Sequence, residues 1–209
     1  MGKEDQAFQF MLKEYEMLYS KFEMHYSAVE KTITLYFVII GAIISSNSFF
    51  VKDFNSFSVF ELSNFQIFCC LFIFIVGSVT VLKVIEHRLL IITYVKNLNQ
   101  NRKWFSEKVG NNELQKYSMF EVSYKSPKYY KKFRHFYWEV LGLSIINSSF
   151  ISLFLINIFK LLEIESKYYG FINGLWYIII SIILVLSFLQ YYKKRGESEE
   201  KKLESKNLA

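Results

Sequence analysis

Three histidines, two adjacent cysteines and one basic aromatic segment are the groups in this chain whose spacing could carry chemistry. His87 stands in Glu86-His87-Arg88 and His135 in Arg134-His135-Phe136, each beside a long charge-free run; His25 lies nearer the N-terminus. Imidazole can relay protons or bind metal near neutral pH. The neighbours favour another use. Lys83, Arg88 and Arg134 can lay apolar stems along hydrocarbon and reach phosphate headgroups, with His87 and His135 set among them. Both histidines fall on the same side of those runs, which would allow them to come close together in space. Cys69-Cys70 lack the two-residue gap of a redox CxxC pair. No histidine or second cysteine pair stands ready to complete four zinc ligands. No metal and no cofactor is expected. From Lys125 to Arg134, five cations alternate with Tyr129, Tyr130 and Phe133. Such a mixture can stack on RNA. Its place beside an apolar run favours anionic headgroups instead, with Lys128, Lys131, Lys132 and Arg134 as the contacting cations. Nucleic acid is not an expected partner.

The runs that position these groups are Thr32–Val51, Asn64–Leu82, Val140–Phe159 and Tyr168–Tyr192, none with an Asp, Glu, Lys or Arg. Each is about long enough to cross a ~30 Å hydrocarbon core at ~1.5 Å per residue. One proline, Pro127, and few glycines suit long helices. Ten-residue segments of alternating polarity are absent, which argues against an outer-membrane barrel. The expected fold class is an all-α membrane protein: four transmembrane helices, three of them elongated into a small cytoplasmic bundle. The opening residues Met1–Gln6 read neither as a secretory signal nor, with Gln6 where Ser or Thr is required, as a myristoylation site.

Charge sets the orientation. Residues 1–31, 83–139 and 193–209 hold 22 of the 25 cations, and the two remaining loops hold 3. The positive-inside rule then puts both termini and segment 83–139 in the cytoplasm of a bacterial inner membrane.

Apolar periodicity extends the spans. Met11, Tyr15, Leu18, Phe22 and Val29 form a helical stripe that leads into the first span. Ile91, Val95, Leu98 and Phe105 continue the second span on one face, with Gly110-Asn111-Asn112 as a stop. This second stripe is a candidate surface for the N-terminal stripe or for a cytoplasmic protein partner. Ser126 and Pro127 have the chemistry of a helix cap and first turn, so the third helix is predicted to start there. The tail from Gly196 onward is expected to be frayed or a solvated helix end. In the third span Ser144, Asn147, Ser148 and Ser152 repeat on one face, where small residues allow close helix approach and Asn can bond across the contact. They are candidates for helix packing, homo-oligomer contacts or the lining of a pore. No span holds a mid-depth charge of the kind an ion-coupled transporter uses.

No catalytic constellation stands out, and a non-enzymatic function is expected. The acidic amphipathic lead-in and the long helix from Glu86-His87-Arg88 through Asn99-Gln100-Asn101-Arg102-Lys103-Trp104-Phe105 complete an architecture that resembles the small four-span accessory and effector proteins of bacterial antiviral systems. These include membrane companions of RNA-targeting CRISPR effectors, of nucleotide-signalling systems and of the Kiwa type. The resemblance implies a protein that disturbs or monitors the inner membrane when a cytoplasmic partner signals. The alternatives are a channel or transporter subunit unrelated to defence, and a membrane enzyme with a hydrophobic substrate.

Overall fold

The computed structural model describes residues 3–53, 59–108, 127–132, 134–161 and 169–206. Among these residues there are four α-helices and no strand: α1 (Lys3–Asp53), α2 (Val59–Lys108), α3 (His135–Leu161) and α4 (Tyr169–Lys206). Each is long and apolar enough to cross a membrane. The chain is an all-helical, multi-pass membrane protein.

The chain divides into two compact units. Unit 1 comprises Met1–Glu30, Glu86–Lys131 and Lys194–Ala209; unit 2 comprises Lys31–Ile85 and Lys132–Lys193. Helices α1, α2 and α4 supply residues to both units, whereas α3 lies within unit 2.

In unit 2, α1 and α2 meet where Tyr36 reaches Gly77, and α2 meets α3 where Asn147 reaches Ser78. Ser152 of α3 contacts both Tyr177 and Ser181 of α4, while Ser181 also contacts Ser148; moving back along α3 means moving forward along α4, so the two are antiparallel. Large apolar side chains stay exposed on every helix: Leu35 on α1, Phe68 and Ile75 on α2, Ile145 on α3, Ile178 and Leu186 on α4. A water-soluble monomer does not leave such a continuous apolar surface uncovered, but lipid covers it at no cost. Trp138 and Trp176 are both more than half exposed. By the α3–α4 register they lie about 22–28 Å apart along the helices, close to the height of a bilayer core. Exposed tryptophans at that separation suit the two membrane–water interfaces.

Unit 1 packs on different principles. Leu18 and Val29 of α1 and Leu89, Ile91, Ile92 and Leu98 of α2 are buried. Arg88 and Lys96 are buried with them, at 2% and 0% exposure, so this interior holds charge that must be answered by partners.

One expectation about the elements is corrected. The third helix does not start at Pro127: residues 127–132 are irregular and α3 begins at His135. The Arg134 carbonyl accepts from the Tyr137 and Trp138 amides at 2.9 and 3.2 Å and so opens the helix. The segment ahead of it stays non-helical because Tyr129 is held by side chains from α2 and α4. Of the two readings of the tail, a solvated helix end is the one the structure has: Glu197, Lys201 and Lys202 are exposed on a continuing helix. α4 continues to Lys206, and Arg195 and Glu200 make ion pairs in unit 1. The elongated helices are therefore α1, α2 and α4. The predicted stop at Gly110-Asn111-Asn112 and the cap at Ser126 lie outside the described residues.

Candidate functional site

The most interlocked polar site is in unit 1, around Lys96. Its ammonium donates to Glu200 Oε1 at 2.8 Å and lies 4.3 Å from the centre of the Tyr129 ring. The backbone amide of Tyr129 donates to the other Glu200 oxygen at 3.3 Å. The Tyr129 hydroxyl meets Thr93 Oγ1 at 2.9 Å. A lysine fully removed from water needs an anion and further partners, and here carboxylate and π-face supply them. Gly196 lets Tyr129 and Tyr130 pass close to α4: a Cβ there would meet Tyr130 Cβ at 3.0 Å. Tyr129 is buried at 1% exposure. Burial pushes its phenol above the ordinary value of 10.0; the Thr93 hydrogen bond lowers it, and Glu199 and Glu200 raise it again.

A second cluster joins α1 to α2 within unit 1. His25 Nδ1 and His87 Nδ1 are 3.0 Å apart, so one ring donates and the other accepts. His25 also stacks on Tyr94, with ring centres 5.4 Å apart. The Arg88 guanidinium lies over the Tyr26 ring at 5.2 Å. Further along, Arg102 donates to Tyr15 Oη and to Asn99 Oδ1, each at 3.1 Å. Phe105 meets Phe8 edge-on at 5.3 Å. Arg195 grips Glu86 with two bonds of 3.1 Å. This last pair is partly exposed and contributes modestly.

Unit 2 holds a polar seam. Ser144, Asn147 and Ser148 are buried, and Ser152 is half-buried. Turned so that both ends of its amide are satisfied, Asn147 donates to the Phe74 carbonyl and accepts from the Ser78 hydroxyl, both at 3.0 Å. Ser152 and Ser181 meet at 2.5 Å. Ser144, Ser148 and Ser149 donate back to carbonyls of their own helix. Beside this seam, α3 and α4 frame an open groove of about 590 Å³, with Ser149, Ser152 and Ser181 among apolar walls of Ile145, Leu153 and Ile182.

The sequence-selected residues thus separate. Ile91 and Leu98 are buried in unit 1 and Val95 and Phe105 half-buried, so Ile91 and Leu98 offer no open surface to a partner. Lys128, Lys131, Lys132 and Arg134 are all exposed. His87 meets His25, while His135 meets Glu139 one turn on at 3.1 Å. Cys69 is buried and Cys70 half-buried, both as free thiols. Among the described residues no three His, Cys, Asp or Glu side chains are grouped to hold a metal. Sequence reading missed Lys96, Tyr129 and Glu200 as one site. Their separations of 71 and 104 residues leave no local pattern. The one available signal was a lysine set in the apolar stripe between Val95 and Leu98.

No family model, curated protein or solved structure matches this chain.

Proposed function

We propose that the protein is a non-enzymatic component of a bacterial inner membrane, with its termini and segment 83–139 in the cytoplasm, that perturbs or monitors the membrane when a cytoplasmic partner signals. Antiviral defence is the setting that the four-span architecture suggests. The observation that carries the reading is the contrast between the units. Unit 2 presents apolar side chains outward on all four helices, while unit 1, which also exposes Phe10 and Met24, encloses Arg88 and Lys96 among buried apolar residues. Lipid is the partner of the first, and a charged interior held by a few long-range contacts can be rearranged by a protein that competes for them. The test is expression in a bacterial host with a potential-sensitive dye, with and without phage challenge. Wild type should depolarise the membrane or protect against phage. Leu98→Asp, which puts a charge at a position 3% exposed, should insert normally and lose that activity. Wild type without either effect, or Leu98→Asp with full effect, overturns the reading.

A second reading, a channel subunit, draws on the serine-edged groove of α3 and α4. It requires several copies to enclose a path, and Ser152→Leu should then abolish single-channel current in reconstituted bilayers. A conducting Ser152→Leu protein removes the groove from any pore.

A further inference from the structure

We infer that one end of unit 2 is a collar that binds anionic phospholipid headgroups, built from Lys31, Lys83, Lys132, Arg134 and Lys193. The inference rests on the membrane reading of unit 2 and not on any role in defence.

All five side chains are exposed, and they are all the Lys and Arg side chains described in unit 2. The helix contacts place them at one end. Lys31 precedes Tyr36 by five residues and Lys83 follows Gly77 by six, and Tyr36 and Gly77 touch. Arg134 precedes Ser148 by fourteen residues and Lys193 follows Ser181 by twelve, and Ser148 and Ser181 touch. Asn147 and Ser78 tie the two pairs to a common level. The collar therefore has two tiers, with Lys31 and Lys83 roughly 12 Å nearer the bilayer centre than Arg134 and Lys193 at 1.5 Å per residue. The exposed rings of Trp138 and Tyr191 fall between the tiers. Aromatic rings sit at headgroup depth, and lysines below that depth lead their ammonium groups outward along apolar stems. Both tiers then converge on the phosphate layer.

The charge is one-sided. Among the described side chains of unit 2, Glu139 is the acidic group at this end, with His135 against it; just past the unit's bounds Glu30 adjoins Lys31 in sequence, and Glu86, three residues after Lys83, pairs with Arg195. The opposite loops, 52–63 and 160–167, carry three cations and four acids in sequence. Clustered juxtamembrane cations of one sign attract anionic lipid. Of the cations that the sequence set at the headgroups, Lys83, Lys132 and Arg134 belong to this collar; Lys31 and Lys193 are added by the fold, and Arg88, Lys128 and Lys131 are part of unit 1.

The test places the full-length protein in nanodiscs of phosphatidylcholine alone or with one-third phosphatidylglycerol and compares the unfolding midpoints at low and high salt. The midpoint should be higher with phosphatidylglycerol, and the difference should shrink by half or more in salt. Lys31→Gln, Lys83→Gln, Arg134→Gln and Lys193→Gln together should abolish it. A control removes the same charge from unit 1 by Lys13→Gln, Lys21→Gln, Lys103→Gln and Lys201→Gln and should keep it. Quenching of wild-type tryptophan fluorescence by brominated phosphatidylglycerol should exceed quenching by brominated phosphatidylcholine, which reads the contact without any variant. Equal midpoints and equal quenching in the two lipids overturn the collar. Equal loss in both quadruple variants also overturns it, since that is attraction to net charge alone.

Discussion

Lys96 and Glu200 are unequal partners. Lys96 is completely enclosed, whereas Glu200 keeps 31% of its side-chain exposure. Removing the glutamate strands a buried ammonium, but removing the lysine leaves a carboxylate that water can reach. Glu200→Ala should therefore destabilise unit 1 more than Lys96→Met. The roughly 3–5 kcal/mol cost of breaking a fully enclosed pair is a ceiling here, because solvent screens the exposed side. Limited proteolysis of segment 83–139 measures the difference; equal sensitivity in the two variants would show that the pair is not held out of water. Tyr129 adds a pH dependence. Its folded value lies above the ordinary 10.0, so protonated phenol is favoured by the fold. Stability from this group is complete below about pH 10 and falls as the pH rises through the raised value. The loss is sharpened because Glu199 and Glu200 repel the phenolate, while the Thr93 hydrogen bond works the other way. Tyr129→Phe should remove that alkaline limb from a pH series of unfolding midpoints while sacrificing the Thr93 hydrogen bond at all pH values.

At the scale of elements, glycines separate close contact from empty surface. A Cβ on Gly77 would overlap the Asn147 amide and lie 2.5 Å from Tyr36 Oη. Gly41 and Gly142 have nothing within 4 Å of that position. Gly77→Ala should lower the unfolding midpoint in detergent or nanodiscs by forcing α1, α2 and α3 apart. Gly41→Ala and Gly142→Ala should leave it unchanged or raise it, since alanine gains about 0.5–1 kcal/mol over glycine within a helix. A Gly77→Ala protein as stable as its two counterparts would mean that the helices do not meet there. The serines divide in the same way. Ser148 is 2% exposed and Ser149 is exposed. Ser148→Leu should break the α3 packing, and Ser149→Leu should be accepted by a lipid-facing or groove surface. Heat stability and assembly on native gels read the two apart.

For the whole molecule, orientation is the open variable with the simplest test. Reporter fusions at Phe57 and Ser166 should read external, and a fusion after Ala209 internal, because cations resist translocation. An external reading at Ala209 would invert the collar and remove the cytoplasmic setting proposed for unit 1. The four spans were legible in advance because a bilayer imposes a length and a solvent on each segment separately. Thr32–Val51 or Val140–Phe159 satisfies that condition without reference to any other residue. The stripe from Ile91 to Leu98 was legible for a similar reason, since helical periodicity is local. What covers that stripe was not. Pro127 carries the chemistry of a helix start, yet Glu200 takes the amide of Tyr129 across 71 residues, residues 127–132 are irregular, and the helix opens on the Arg134 carbonyl. The polar residues after Gly196 are mostly exposed, as their sequence suggests, yet Lys96 across 104 residues draws one of them, Glu200, into a half-buried ion pair. The sequence by itself determined the class, the number of crossings and the bias of charge, because hydrophobic length and helical period act over one or two dozen neighbours. Only the tertiary structure decided where α3 begins, how far α4 runs, which serines face a neighbour, and which cations share one end of unit 2. Those outcomes follow from contacts between residues dozens of positions apart, whose partners local composition does not encode.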